Sequence, residues 1–180
     1  MLSGVNRVTA IAALTALTGR GFDIPRDALT RGLAAARWPG RLGFCPKEPR
    51  LWWDGAHNEC GVRHLVALWT RSNALMRPPV VVLALSGDKD AAAILRSLHE
   101  GFPETRLIAT RSRSERAVEP ATLARLAGEA GFPAESLPDV PTAVRQGLKL
   151  AGEGIVLLTG SLFAVGEAME AFGGAPGEML

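Results

Sequence analysis

A chain of 180 residues and 19.0 kDa holds one domain with a substantial core, or one domain and part of another, and is too short for two complete catalytic domains. Hydrophobic residues at 47% and charged residues at 21% exclude general disorder, while 20 basic against 18 acidic side chains leave a net charge of +2, too little for a nucleic-acid-binding surface, so any anion site must be local. Cys45 and Cys60 are too few for a disulfide framework; no signal peptide or membrane segment is read, the apolar stretch Val8 to Leu17 being too short to span a bilayer, and the expectation is a reduced cytoplasmic protein.

From Asn6 to Thr18 the run NRVTAIAALTALT predicts a buried helix, ended near Gly19 and Gly21, and a second helix is expected from Pro25 to Ala36 because proline suits the first helical turn. Trp38-Pro39-Gly40-Arg41 then breaks the helical pattern. The domain boundary is placed there: a helical unit over 1–38, a main domain over 39–172 and a loose tail over 173–180. Past the boundary, short apolar runs alternate with helical windows, the pattern of a sheet covered by helices. Strands are expected at Arg41–Cys45, Arg50–Trp53, Val80–Leu85, Thr105–Ala109 and Ile155–Thr159, with a further short one near Glu135–Leu137. Helices are expected at Asn58–Arg71, Ala91–His99, Ala121–Ala130, Thr142–Ala151 and Leu162–Phe172. The all-apolar VVVLAL fits a central strand buried on both faces. The fold class is therefore α/β, a Rossmann-like, mostly parallel sheet flanked by helices and preceded by a helical pair.

In such a sheet ligands sit beyond the carboxyl ends of the strands, where main-chain N–H groups at helix starts are available. Three segments meet that condition and are expected to share one rim. Asp54-Gly55-Ala56-His57-Asn58 offers a carboxylate suited to ribose hydroxyls and an imidazole suited to an anion, although Asp54 or Asn58 would equally serve as a plain helix cap. Ser86-Gly87-Asp88-Lys89-Asp90 sets one lysine between two aspartates ahead of a helix, with Asp90 as a candidate cap. Thr159-Gly160-Ser161 brings a hydroxyl to a helix start, where it suits a carboxylate. Between the last two lies the basic run Arg111-Ser112-Arg113-Ser114-Glu115-Arg116. His57, Cys60 and His64 fall at i, i+3 and i+7, which raises a zinc site on one helix face as an alternative. Absent are the G-x-x-x-x-G-K-S/T phosphate loop, the G-x-G-x-x-G fingerprint, the H-E-x-x-H helix and the G-x-S-x-G nucleophile elbow.

Taken in order, NRVTAIAALTAL, WPGR, DGAHN, SGDKD, SERAVEP and TGSLFAVGEA resemble the C-terminal part of the folylpolyglutamate synthase and dihydrofolate synthase family, within the Mur ligase superfamily. The resemblance covers nearly the whole chain. It implies ATP-dependent amide formation, in which a folate-type carboxylate is phosphorylated and the amino group of glutamate attacks the acyl phosphate. It further implies Arg41 at the nucleotide phosphates, Asp54 at the ribose with Asn58 beside it, and His57 between nucleotide and glutamate. Ser161 would meet the glutamate carboxylate, while Lys89, Asp90 and Arg116 match family positions, Lys89 on the catalytic side and the other two on the substrate side. The implied ligands are ATP, Mg2+, glutamate and a folate or dihydropteroate, with no nucleic acid and no membrane. Glu59 stands where the family pattern has proline, adding a negative charge at a helix start. The phosphate loop and the magnesium ligands belong to a central ATPase domain of which only the last helices are expected here, so the chain is expected to be inactive alone. A non-catalytic module for nucleotides or acidic metabolites, and another Mur-type amino-acid ligase fragment, stay open at this level.

Overall fold

The computed structural model describes residues 4–36, 40–71 and 79–173. The chain divides into two compact units, Met1–Pro39 and Gly40–Leu180.

The first unit is a helical pair, α1 (Gly4–Thr18) and α2 (Arg26–Ala35). Pro25 occupies the position just before α2, as its fixed φ and missing N–H favour. In α1 the hydroxyls of Thr15 and Thr18 donate to the carbonyls of Ile11 and Leu14, so these threonines satisfy themselves along the helix. The expectation that α1 is buried is not met: Val8 is 67% exposed, and Ile11 and Leu17 are exposed too. No residue of α2 is buried. The reason is geometric, because α1 is apolar around most of its circumference and one short partner helix cannot cover all of it. Trp38 and Pro39 of the WPGR segment lie outside the described residues, as does the tail from 174 onward.

The second unit is a three-layer α/β sandwich. Its elements are β1 (Gly43–Cys45), β2 (Glu48–Asp54), α3 (Glu59–Arg71), β3 (Val80–Leu83), α4 (Ala91–Gly101), β4 (Leu107–Ala109), α5 (Pro120–Glu129), β5 (Ala134–Ser136), α6 (Val140–Ala151), β6 (Val156–Thr159) and α7 (Leu162–Phe172). The six strands lie in the order β1-β2-β6-β3-β4-β5, with β1 antiparallel and the others parallel. The expected mostly parallel sheet is thus present, and VVVL forms β3, hydrogen-bonded on both sides by β6 and β4. Val81, Val82 and Leu83 have no exposed surface.

Alternation along β3 sends side chains into two cores. Val81 and Leu83 join Val62, Leu65 and Trp69 of α3, Ile94, Leu95 and Leu98 of α4, and Leu123 of α5. Val82 joins Val140, Ala143 and Val144 of α6 and Ala164, Val165 and Ala168 of α7 on the other face. Burying a side chain of this size contributes about 1.5–3 kcal/mol, so two such layers fix the sheet firmly between them.

The register then sets the site. Asp54 pairs with Thr159, Thr159 with Leu83, and Leu83 with Ala109. Four parallel strands therefore end level, and the loops that leave them share one rim. Several boundaries differ from the expectation by two residues or so: β1 starts at Gly43, β2 already at Glu48, and β3 ends at Leu83 because Ala84 and Leu85 bend toward the rim while staying buried.

Candidate functional site

The loop after β2 is tied down by its own aspartate. One oxygen of Asp54 (Oδ2) accepts the N–H of Leu42 at 2.7 Å and the other (Oδ1) accepts that of Ala56 at 2.8 Å. Gly55 donates to the carbonyl of Gly40 at 2.7 Å. A carboxylate only 8% exposed thus lashes the segment before β1 to the segment after β2, and Leu42 is held there at φ 32, a conformation non-glycine residues rarely adopt. Burial pushes the Asp54 carboxyl above its ordinary value, opposed by those two N–H donors and, further out, by the charges of Arg41 and His64.

That turn also aims His57. Its Nδ1 stands 2.8 Å from the carbonyl of Gly55, which only accepts, so Nδ1 carries the proton and Nε2 is the ring's remaining polar atom. Asn58 caps α3, its Oδ1 accepting the N–H of Gly61 at 2.8 Å. Because α3 begins at Glu59, His57 lies ahead of the helix rather than on one face with Cys60 and His64. Among the described residues no three His, Cys, Asp or Glu side chains come together as a metal site, and the zinc alternative is not supported.

The loops after β3 and β4 are stitched to each other. Gly87 donates to the carbonyl of Arg116, Val118 donates to that of Leu85, and Ser86 bridges Ala117. Asp90 is the cap of α4, accepting the N–H of Ala93 at 2.9 Å, so its side chain is engaged in holding the helix start. Lys89 meets Asp88 at 2.7 Å, and that lysine hydrogen bond is the main reason the Asp88 carboxyl sits below its ordinary value. Of the arginines in the basic run, Arg111 pairs with Glu119 and Arg113 with Glu167 and Glu170. The Arg116 guanidinium has no ion-pair partner among the described residues, although its charge is felt at Asp88.

After β6 the chain turns at Gly160, with φ +96. A Cβ there would fall 2.2 Å from the carbonyl oxygen of Ala84, so the turn admits only glycine. The turn delivers Ser161, 5% exposed, to the N-cap of α7, where its hydroxyl lies 3.4 Å from the N–H of Ala164, a long contact that leaves the oxygen available.

These loops enclose a cleft of about 160 Å³ lined by His57, Ser86, Asp88, Lys89, Arg116, Gly160 and Ser161, with Leu162 and Phe163 as an apolar lip. Four of the residues singled out from sequence, His57, Lys89, Arg116 and Ser161, share it. Asp54, Asn58 and Asp90 do not line it; they hold the turns and helix starts that shape it, and Arg41 does not line it either, its charge reaching Asp54 from further out. The sequence does not predict the lip, because Leu162 and Phe163 read as core positions of a helix, whereas they are 43% and 58% exposed. Two fixed cations, an imidazole and two hydroxyls face one carboxylate, a set suited to a small molecule carrying carboxylate groups and an ammonium.

The chain matches the model of the family described as Mur ligase, glutamate ligase domain, over residues 40–162. It is similar to the dihydrofolate synthase/folylpolyglutamate synthase of Mycobacterium tuberculosis, 32% identical over 189 residues, covering 95% of this chain and 38% of that protein, in its C-terminal part. Among solved structures it resembles Mycobacterium tuberculosis folylpolyglutamate synthase complexed with ADP and AMPPCP, with TM-score 0.81, 30% identity and coverage of 93% of this chain and 39% of that one. It also resembles Escherichia coli FolC in complex with DHPP and ADP, with TM-score 0.77 and 27% identity over 94% of this chain and 39% of that one. The chain thus spans about two fifths of the length of the relatives it matches. A family model covering the sheet, its rim loops and the start of α7, together with a relative matched across nearly the full chain, places it in the Mur ligase family as a carrier of the glutamate ligase domain.

Proposed function

We propose that the chain forms the amino-acid-binding and nucleotide-closing part of an ATP-dependent ligase that adds glutamate to a folate or dihydropteroate carboxylate, and that it does not turn over alone. The observation that carries this reading is the convergence of His57, Lys89, Arg116 and Ser161 in one cleft at the level ends of β2, β3, β4 and β6.

In this reading Ser161 and Arg116 hold the carboxylates of glutamate, and Asp88 balances its ammonium. His57, with Nδ1 fixed on the Gly55 carbonyl, presents a ring nitrogen that takes a proton from that ammonium, freeing the amine whose attack on the acyl phosphate forms the amide bond and expels phosphate. Lys89 spreads positive charge along the wall where negative charge accumulates in the acyl-transfer step. Toward a nucleotide the fit is partial. Each Asp54 oxygen has one lone pair spent on a main-chain N–H and one left for a ribose hydroxyl, and the Arg41 charge is felt there, but the sequence contains no phosphate loop. Bound ATP would supply the phosphoryl group that activates the acceptor carboxylate. Toward Mg2+ the described residues do not fit, since no acidic cluster is present among them, and no step here depends on a metal held by this chain. The helical pair is read as the end of a central ATPase domain, which would bring the phosphate loop and the magnesium ligands.

Mixing the chain with ATP, magnesium, a folate and glutamate is expected to release no ADP, and adding the central domain of a relative in trans is expected to restore part of the activity. ADP release by the chain alone, or glutamate binding unaffected by Ser161→Ala and Arg116→Ala, would refute the assignment.

A further inference from the structure

Three arginines stand within six residues of one loop, and the structure treats them differently. Arg111 is neutralised by Glu119, Arg113 by Glu170 at 2.5 Å, and Arg116 alone lines the cleft. The loop that carries them runs from the end of β4 to the bridge at Ala117, where the Arg116 carbonyl accepts the N–H of Gly87, so its far end is held by the loop after β3. Its middle is held instead by Glu167 of α7. The Glu167 side chain is only 10% exposed, and its Oε1 accepts the main-chain N–H of Arg113 at 2.7 Å, with the Arg113 Nε 3.6 Å away. A largely covered carboxylate hydrogen-bonded to a loop N–H is a charge-assisted and directional tether. Glu167 sits on α7, the helix whose N-cap is Ser161, so one rigid element fixes both the serine and the arginine loop opposite it. Leu162 and Phe163 form the wall between this tether and the cleft: they line the cleft on one side and, with Arg113, Ser114 and Glu167, a second hollow on the other.

We propose that Glu167 is a positioning residue: by clamping the Arg113 main chain to α7 it seats the 111–116 loop so that Arg116, the arginine left unpaired, presents its guanidinium to the anionic ligand of the cleft. Arg111 and Arg113 are then tethers rather than ligand contacts. This rests on the reading of the cleft as an acidic amino-acid site, and the experiment separates the two.

Amide hydrogen exchange and titration with L-glutamate are run on the 180-residue chain and on Glu167→Ala, Glu167→Gln, Arg113→Ala and Arg116→Ala. Glu167→Ala is expected to speed exchange of the Arg113 amide by about tenfold or more and to weaken glutamate binding by roughly the same factor as Arg116→Ala, about tenfold, with the denaturation midpoint of the unit little changed. Glu167→Gln keeps a side-chain oxygen for the Arg113 N–H and should recover most of both signals. Arg113→Ala keeps the main-chain donor and should stay within about twofold of the parent. Unchanged Arg113 exchange in Glu167→Ala overturns the clamp, and so does a loss in Arg113→Ala that matches it. A loosened loop with full glutamate affinity, while Arg116→Ala loses affinity, overturns the positioning role. If Glu167→Ala does not fold, failure of Glu167→Gln to retain parental exchange and affinity overturns the clamp in its place. If the parent binds no glutamate, the reading of the cleft fails, whereas faster Arg113 exchange in Glu167→Ala with recovery in Glu167→Gln still supports the clamp.

Discussion

Helices α1 and α3 invite opposite guesses from their sequences and have opposite fates. In α1, GVNRVTAIAALTALT has a single charged residue, yet its described side chains are exposed or half-buried; in α3, ECGVRHLVALWTR carries a glutamate, two arginines and a histidine, yet Val62, Leu65 and Trp69 are buried. Burial follows the partner surface rather than the hydropathy of the segment. The α3 stripe is narrow and faces a sheet, and Trp69 packs edge-on against both Trp52 and Phe102. A helix apolar on all sides requires chain on all sides.

The sharpest way to break the ordered half of that contrast is at Gly160. Replacing it with alanine puts a methyl group against the Ala84 carbonyl at a positive φ, and urea denaturation should show a loss upward of about 4 kcal/mol, enough to leave little folded α/β unit. Trp69→Ala empties the aromatic cluster under α3 and should destabilise by about 3–5 kcal/mol in the same assay.

Asp54 gives a smaller effect with a pH signature. Burial raises its folded carboxyl above the unfolded value, so the ionised form is the less favoured one in the folded state. The stability of the parent relative to Asp54→Asn is therefore highest in acid and declines as pH rises from about 4 through the range just above. Denaturation midpoints across that range check this, and a difference that grows with pH would contradict it. Ile11→Ala in α1 should change stability by no more than about 0.5 kcal/mol, since Ile11 is 41% exposed and alanine is the better helix former. A loss on the scale of Trp69→Ala would mean that α1 is covered in solution.

The contrast also marks what can be read from the residues. The sheet is legible because VVVLAL and IVLL are continuous apolar runs of strand length, and the rim because SGDKD and TGS come directly after those runs and DGAHN directly after LWW. Edges are harder: the short strand expected near Glu135–Leu137 is present as β5, Ala134-Glu135-Ser136, one residue earlier and exposed throughout, because an edge strand without an apolar run gives no sharp boundary. The exposure of α1 is hidden because apolar content does not reveal whether a surface exists to receive it. For His57 the i, i+3, i+7 spacing with Cys60 and His64 misleads, because the helix begins only at Glu59 and the ring ahead of it turns to the cleft. Glu167 has no signal at all, as its partner is a main-chain N–H 54 positions away and no side-chain pattern encodes that.

The place of β6 governs how the molecule comes into being. It is the last strand in the chain but the third in space, inserted between β2 and β3, which share no other neighbour. Until Val156–Thr159 have left the ribosome, the two halves of the sheet have no strand to join them, and the link between one and the other is left to helix packing, chiefly that of α3 on α4. A nascent chain stalled before that point should offer two unzipped apolar strands to chaperones, and premature termination there would abolish the binding rim altogether rather than merely shorten it.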